Sequence, residues 1–191
     1  MSASATEDSR PAVAPPEALA ALDLFALGRQ AVAVRESRWN GRGFFVRARH
    51  LDVDGIVLFP FKYGESDAER IERLAALAGA APAPWGIMPA PVGEPFGLDT
   101  LRCFALCRLA LPQVPHLLAD VTTLGPRLAQ MAFGFGADEI YAPIVAERAL
   151  RIGANANNPA LTRKEAVTLI RGAGLTACER MADGSLQEVT S

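Results

Sequence analysis

Apolar residues recur at helical spacing near the start of the chain. In the stretch "EALAALDLFALGRQAVAVRESRWNG", residues 17–41, they fall on one side of a helix of ordinary pitch, which is typical of an amphipathic helix. The prolines at 15 and 16 suit its first turn, and the Asn40-Gly41 pair is a stop signal. Residues 1–14 lack the basic-then-apolar order of a secretion signal. We therefore expect a disordered tail over 1–14 and a single α/β domain over 15–191.

A second pattern predicts a β-hairpin. The stretch "GFFVRARHLDVDGIVLFPFKYG" contains two apolar runs separated by Asp54-Gly55, a dipeptide that readily forms the tight turn between antiparallel strands. A parallel pair needs a crossover of about a dozen residues or more, and the gap between these runs is far shorter. We therefore expect the two runs to pair with each other.

Strand and helix patterns alternate through the rest of the chain. Ser66 and Glu69 form a capping-box signature before a helix that ends near Ala78, and "TRKE" at 162–165 begins a helix through Arg171 in the same way. Further helices are predicted over 98–111, 126–135 and 144–152, and strands at "WGIMPAP", "HLLADV" and "EIYAPI". This alternation predicts βα units in a largely parallel sheet, in which ligands bind at the carboxyl ends of the strands.

Composition narrows the class of protein. The chain has 191 residues, of which 50% are hydrophobic, and a net charge of −2 without a block of like charges. This disfavours nucleic acid and membrane partners, and there is no apolar run of about twenty residues. Three cysteines make no disulfide framework, so we expect a reduced, cytoplasmic setting.

A family resemblance rests on several stretches in a conserved order. "GLDTLRCFALCRLALPQVPHLLADVTTLGPRLAQMAFGFGADEI" and "LTRKEAVTLIRGAGLTACERMADGSLQEV" resemble the C-terminal half of the radical S-adenosylmethionine enzymes of the futalosine route to menaquinone. These are aminofutalosine synthase, dehypoxanthine futalosine cyclase and their relative FO synthase. "YGESDAERIERLAAL" is similar to a turn and helix of that family, and "DLFALGRQAVAVRESRWNGRGFFVRARHL" to its opening helix and first strand. The resemblance runs from about Leu22 to Val189, and it implies a β/α barrel of the TIM type.

The resemblance also shows what is missing. In the family, a C-x3-C-x2-C loop after the first strand holds a [4Fe–4S] cluster, whereas here Asp52-Val53-Asp54-Gly55 leads directly into a later strand. Cys103 and Cys107 have the x3 spacing, but they lie one turn apart in a predicted helix, so we expect them to pack in the core, and Cys178 to be inert. Such a cluster needs three converging thiolates. We therefore expect a chain without a metal or cofactor.

Three candidate ligand-binding residues follow the first strands. Glu65 matches a turn glutamate of the family, although Tyr63 stands where the resemblance predicts histidine. Glu65 either binds a polar ligand with Lys62 and Tyr63 or takes a structural role in the loop before a helix. His50 keeps the family's strand-end position without its usual neighbours, so it is either a ligand or a structural histidine. The second histidine, His116, is predicted to be structural.

Three more candidates belong to the later strands. Asp120 ends a strand where the resemblance predicts an aromatic residue, and it is either a ligand contact or a surface residue. In "GADEIYAPI", Asp138 is kept, but Tyr141-Ala142-Pro143 replaces a small polar sequence, which indicates a filled or reshaped pocket. Gly134-x-Gly136 lacks the third glycine of a nucleotide-binding loop.

The chain is too short for a closed barrel of eight strands, which takes about 250 residues. We expect an open, partial TIM-like barrel of about five or six strands, with an N-terminal helix and a hairpin. Its exposed edges must be covered, either by a second copy in a homodimer or by another protein. Two functions remain: a non-catalytic protein that binds a partner or a small aromatic or nucleoside-like metabolite, or an iron-independent enzyme that uses Glu65, Asp120 and Tyr141.

Overall fold

The computed structural model describes residues 15–46, 55–79, 82, 84–146, 160–181 and 183–190. Within these ranges no helix is both long and apolar enough to cross a membrane. The helices are α1 (Pro16–Ala20), α2 (Leu24–Trp39), α3 (Asp67–Ala78), α4 (Gly97–Ala110), α5 (Val121–Ala132) and α6 (Arg163–Gly172). The strands are β1 (Arg42–Val46), β2 (Ile56–Phe61), β3 (Gly86–Pro91), β4 (His116–Asp120), β5 (Glu139–Tyr141), β6 (Ile144–Val145), β7 (Leu161–Thr162), β8 (Thr176–Arg180) and β9 (Leu186–Glu188).

Seven of the strands form one open sheet. Their order is β2-β3-β4-β5-β1-β8-β9, and β6 and β7 form a separate parallel pair. All neighbours from β2 to β8 are parallel, whereas β9 is antiparallel to β8. The sheet ends at β2 on one side and at β9 on the other. This α/β architecture is an open, partial TIM-like barrel, which confirms the predicted fold class. The predicted count of about five or six strands is too low, because the sheet has seven.

The predicted capping boxes begin two of the helices. The Ser66 side chain accepts a hydrogen bond from the Glu69 N–H, and the Glu69 carboxylate accepts one from the Ser66 N–H. Thr162 and Glu165 make the same reciprocal pair before α6. Each box satisfies two of the N–H groups that a helix start leaves without a partner, so local sequence alone positions these two helix starts correctly.

The N-terminal helical pattern is divided into two helices. α1 ends at Ala20, and Asp23 begins α2 by accepting a hydrogen bond from the Ala26 N–H at 2.8 Å. The predicted stop is confirmed, since Asn40 takes the left-handed conformation with φ 46°. The apolar periodicity predicts one helix, but the Asp23 cap divides it into α1 and α2.

The predicted hairpin at Asp54-Gly55 is wrong. β1 pairs with β5 and β8, β2 pairs with β3, and all these pairs are parallel. Gly55 does take a positive φ of 85° before β2, but a local turn conformation does not decide which strands pair. The hairpin of this fold is β8–β9 instead.

One further element differs from its prediction. The helix predicted over 144–152 is contradicted at its start, because Ile144 and Val145 form β6 and pair with β7. Residues 147–152 lie outside the described ranges. Pro143 breaks the preceding strand pattern, since a proline lacks the N–H that a strand ladder needs.

Both faces of the central strands are buried. Phe45 and Leu117 point toward the helices and belong to the main apolar core. Their neighbours Phe44 and Leu118 point to the opposite face and are no more than 1% exposed. A strand buried on both faces is typical of a parallel sheet, and it explains the uninterrupted apolar runs in β1 and β4.

Gly43 in β1 provides a test of this packing. A Cβ atom there would lie 2.7 Å from Ile170 Cγ2 and 3.1 Å from Leu175 Cδ1. We predict that Gly43→Ala lowers the free energy of unfolding by about 1–3 kcal/mol through overpacking between β1 and α6. The control is Gly79→Ala, where a Cβ atom meets nothing within 4 Å. Urea unfolding measures both variants, and equal losses in the two would contradict the prediction.

Candidate functional site

The turn after β2 brings two predicted ligand-binding residues, Tyr63 and Glu65, to one end of the sheet. Glu65 Oε2 accepts a hydrogen bond from the Lys62 N–H at 3.2 Å. The same carboxylate forms an ion pair with Arg73 and lies 3.7 Å from Arg70 Nε. Glu65 therefore connects the turn to α3, and these contacts agree with the structural alternative that the sequence left open; its role toward a ligand stays a prediction.

Arg70 holds the backbone of this turn through a hydrogen bond to the Lys62 carbonyl. Its side chain is 0% exposed, and its Nη2 donates to the Lys62 carbonyl at 3.0 Å and to Asp99 Oδ2 at 2.8 Å. The guanidinium also lies 5.3 Å from the centre of the Phe61 ring. A buried arginine with charge-assisted hydrogen bonds holds its partners firmly, so the backbone of the turn is rigidly placed between β2, α3 and α4.

A cavity of about 600 Å³ opens beside the turn. Its walls are the end of β2, the turn at residues 62–65, Glu69 and Arg73 of α3, and Val92 after β3. It lies at the carboxyl ends of two parallel strands, where ligands of β/α proteins bind. The position predicted for a ligand site is thus concave in the structure.

An exposed aromatic pair includes Tyr63, which lines the wall of this cavity. Tyr63 stacks on Phe96 with ring centroids 3.9 Å apart, and the two residues are 65% and 51% exposed. Val92 next to them is 56% exposed. Large apolar side chains that cluster on a surface mark binding sites more often than isolated ones do, so this pair is the strongest sign of ligand contact in the described chain.

Asp120 and Tyr141 lie side by side on neighbouring strands, as register partners of β4 and β5. Asp120 begins α5: its Oδ1 accepts from the Thr122 N–H at 2.8 Å, and its Oδ2 accepts from the Thr123 hydroxyl at 2.6 Å. Partial burial, and in smaller part the Asp120 carboxylate, raises the pKa of the Tyr141 hydroxyl. Asp120 therefore acts as a helix cap, and Tyr141 keeps its proton at neutral pH.

Asp138 lies at the opposite end of the sheet, just before β5. Its side chain is 0% exposed, and it accepts hydrogen bonds from Arg108 Nη2 and from the Leu117 N–H at 2.7 Å. His116 Nδ1 lies 2.6 Å from Asp138 Oδ2. The structure therefore does not bring Asp138 together with Tyr63, Glu65, Asp120 and Tyr141 at the carboxyl ends.

His116 is the centre of this buried network, as its predicted structural role implies. Its ring lies between those of Trp39 and Trp85, with centroid distances of 4.8 Å to each. Since a carboxylate only accepts, Nδ1 carries the hydrogen directed at Asp138. Arg180 Nη2 lies 3.0 Å from His116 Nε2 and 3.2 Å from its Nδ1, and it donates to Glu139 Oε2 at 2.7 Å.

The same network contains a set of metal-ligand atom types. Ligand atoms of His116, Asp138 and Glu139 lie within 4.8 Å of one another, the one such group in the part of the chain described. Both carboxylates are already paired, with Arg108 and Arg180. Two cationic guanidinium groups at these positions oppose a further cation, so the donor set fits a structural ion network rather than a metal centre.

The sequence interpretation missed the two arginines. Arg108 is 2% exposed and lies inside α4 among residues such as Leu106 and Leu109 that are buried in the core. A single charged residue in an apolar helix is a usable signal, because a buried charge requires a partner. Arg180 carried no such signal, since its role depends on β8 lying beside β1.

Gly136 has a packing role in this network. Its φ is 94°, and a Cβ atom there would lie 2.9 Å from Arg108 Cβ and 3.0 Å from Ala31 Cβ. Its carbonyl accepts from Arg108 Nε at 2.9 Å. The lack of a side chain at Gly136 therefore leaves the space that the Arg108 side chain occupies beside Asp138.

The three cysteines are all buried. Cys103 and Cys107 are both 0% exposed in α4, and Cys178 is 2% exposed in β8. Burial, and then the neighbouring Cys107, raises the pKa of the Cys103 thiol. The predicted helix packing of the first two is confirmed. His50 lies outside the described residues, so its role stays a prediction.

The fold and the site together define an open β/α-barrel protein whose acidic side chains are largely engaged in holding the structure. No protein-family model matches the chain. Aminodeoxyfutalosine synthase of Thermus thermophilus is 34% identical over 86 residues, which are 45% of this chain and 23% of that protein. The protein of that name from Streptomyces coelicolor is 33% identical over 85 residues, 44% of this chain and 22% of that protein.

The chain is accordingly a partial homologue of the aminodeoxyfutalosine synthases, as the sequence resemblance predicts. It spans less than a quarter of the length of the curated relatives it matches.

Asp138 and Asp120 contribute differently to stability, and the loss of unfolding free energy on substitution measures this difference. We predict that Asp138→Ala lowers the free energy of unfolding by about 3–5 kcal/mol, because it leaves Arg108 buried and unpaired. Asp120→Ala removes a helix cap and costs about 1 kcal/mol. Denaturant unfolding of the two variants measures the difference. A small, equal effect at both positions would show that Asp138 is not the anchor of the network.

Proposed function

We propose that this protein is a non-catalytic relative of the aminodeoxyfutalosine synthases, linked to menaquinone biosynthesis. Its role is binding: a small metabolite in the cavity after β2, or a partner protein on the open side of the barrel. The observation that carries the proposal is the exposed Tyr63–Phe96 pair, stacked at 3.9 Å beside a cavity of about 600 Å³.

The cavity has the composition of a binding site. Ligand sites combine apolar and aromatic walls with a few polar groups that set orientation. Here Tyr63 and Val92 supply exposed apolar surface. The charged lining residues carry both signs: Lys62, Arg73, Glu65 and Glu69. A planar aromatic or nucleoside-like metabolite could stack on the Tyr63 ring, since such contacts are worth about 0.5–1.5 kcal/mol beyond the area buried.

The candidate acids support binding rather than proton transfer. A general base must reach its substrate with a free lone pair. The contacts of Glu65 with Lys62, Arg70 and Arg73, and those of Asp120 with the first turn of α5, occupy these carboxylates. The alternative of an iron-independent enzyme therefore depends on Tyr141, whose raised pKa keeps its hydroxyl protonated at neutral pH, as a proton donor and not as a base.

The cysteines support the same conclusion. A [4Fe–4S] cluster needs thiolates that converge on one point, and thiolates form where the thiol pKa is low. The sequence contains three cysteines; Cys103 and Cys107 are buried in the core of α4, and Cys178 lies in β8. Burial raises the pKa of Cys103 and of Cys178, which is unfavourable for ligation.

Thermal shift measurements with candidate metabolites test the proposal. S-adenosylmethionine, futalosine derivatives and chorismate-like acids are the compounds that the family resemblance suggests. We predict that at least one of them raises the melting temperature, and that Tyr63→Ala weakens its binding by roughly tenfold, equivalent to about 1.4 kcal/mol.

Met131→Ala is the matched control for that experiment. Met131 is 53% exposed on α5, outside the cavity, so its truncation should leave ligand affinity unchanged. If turnover of a metabolite accompanied binding, or if binding survived Tyr63→Ala unchanged, the proposed site or the proposed role would be wrong.

A further inference from the structure

Among the described residues, no strand pairs with the outer side of β2. The carbonyl of Phe61 accepts from the Val92 N–H at 2.8 Å, and the carbonyl of Gly55 accepts from the Trp85 N–H at 2.8 Å. The backbone N–H and C=O groups of every second residue from Gly55 to Phe61 therefore point toward β3. Because direction alternates along a strand, Ile56, Leu58 and Pro60 direct their backbone groups to the free side.

The carboxyl half of this edge is blocked. Pro60 has no N–H to donate, and its carbonyl accepts a hydrogen bond from Arg73. The Lys62 N–H is bonded to Glu65, and its carbonyl to Arg70. Proteins protect edge strands with proline and charged residues in this way. In the described part of the edge, Ile56 and Leu58 alone keep both a donor and an acceptor open.

The unprotected half is also apolar. Leu58 is 58% exposed, and Ile56 and Val57 are half-buried. An exposed apolar edge is a site at which another strand can pair. In the residues that the structure describes, the edge is therefore protected from Pro60 onward and unprotected at Ile56 and Leu58.

We infer that the residues Ile56–Leu58 form a two-fold interface with a second copy of this chain. In an antiparallel arrangement centred on Val57, Ile56 of one copy faces Leu58 of the other. Each of these pairs can exchange both backbone hydrogen bonds, as in the narrow pair of an antiparallel ladder. Pro60, which cannot donate, falls outside the paired segment in this register.

The side chains favour a second copy over an unrelated partner. Leu58 lies beside Ile56 of the other copy on one face of the joined sheet, and the two Val57 side chains meet on the other face. The segment carries no charge, so two identical copies can pair without charge repulsion. A charged partner would find no opposite charge on this segment to pair with. A two-fold pairing closes on itself, whereas β2 joined to β9 of another copy would form open chains.

This interface goes beyond the proposed metabolite binding and does not depend on it. Sedimentation velocity across protein concentration tests it, with hydrogen exchange at low and high concentration as a second measurement. We expect a dimer at micromolar concentration, with protection of the Ile56 and Leu58 amides that rises as the dimer forms. We expect Leu58→Lys to weaken the dimer by at least roughly tenfold, equivalent to about 1.4 kcal/mol.

Leu186→Lys is the matched control, since Leu186 is 40% exposed on the opposite edge strand β9, and the dimer should survive it. A melting curve confirms that Leu58→Lys folds, and ligand binding by the resulting monomer separates this interface from the metabolite site. A wild-type monomer, a dimer that Leu58→Lys leaves intact, or open-ended oligomers would each overturn the inference.

Discussion

The buried carboxylate of Asp138 is the constraint on which the rest of this fold depends. An ionised group at 0% exposure is tolerable only if hydrogen bonds replace its water. Arg108, His116 and the Leu117 N–H supply them, and these donors come from α4 and β4. Because each donor must reach one carboxylate, the helix, the strand and the start of β5 can be assembled in only one way.

This anchoring separates the two ends of the sheet by role. The ionic and aromatic network around His116 is built on the amino ends of β4 and β5 and is completed by Arg180 of β8. The cavity lined by Tyr63, which stacks on Phe96, lies at the carboxyl ends of β2 and β3. In β/α barrels in general, the amino ends of the strands contribute to stability, and the carboxyl ends hold the binding or active site. In this chain, Glu65 and Asp120 at the carboxyl ends are also engaged in structural contacts, which leaves aromatic surface for binding.

Much of the fold could be predicted from local signals. The Ser66 and Thr162 capping boxes act within one helical turn. The local sequence is therefore enough to predict them. The hairpin prediction failed because Asp54-Gly55 reports a local conformation, whereas the partners of β1 depend on long-range packing. The continuous apolar run "GFFV" was the better guide, since strands buried on both faces belong in the middle of a parallel sheet.

The candidate site was predictable in position but not in chemistry. The turn at Tyr63 and Glu65 follows from the rule that ligands bind at strand carboxyl ends. The contacts that engage Glu65, however, come from Arg70 and Arg73 one and two turns into α3. Such partners can be assigned only when the helix is placed against the strand, and the same holds for Asp138 with Arg108.

We propose that the cysteines and acidic side chains of this chain stabilise its structure and do not serve iron-dependent radical chemistry. Anaerobic reconstitution with iron and sulfide, followed by iron analysis and an S-adenosylmethionine cleavage assay, tests it most directly. We expect a colourless protein without stoichiometric iron and without cleavage. A brown protein that carries a full cluster and cleaves S-adenosylmethionine would contradict it.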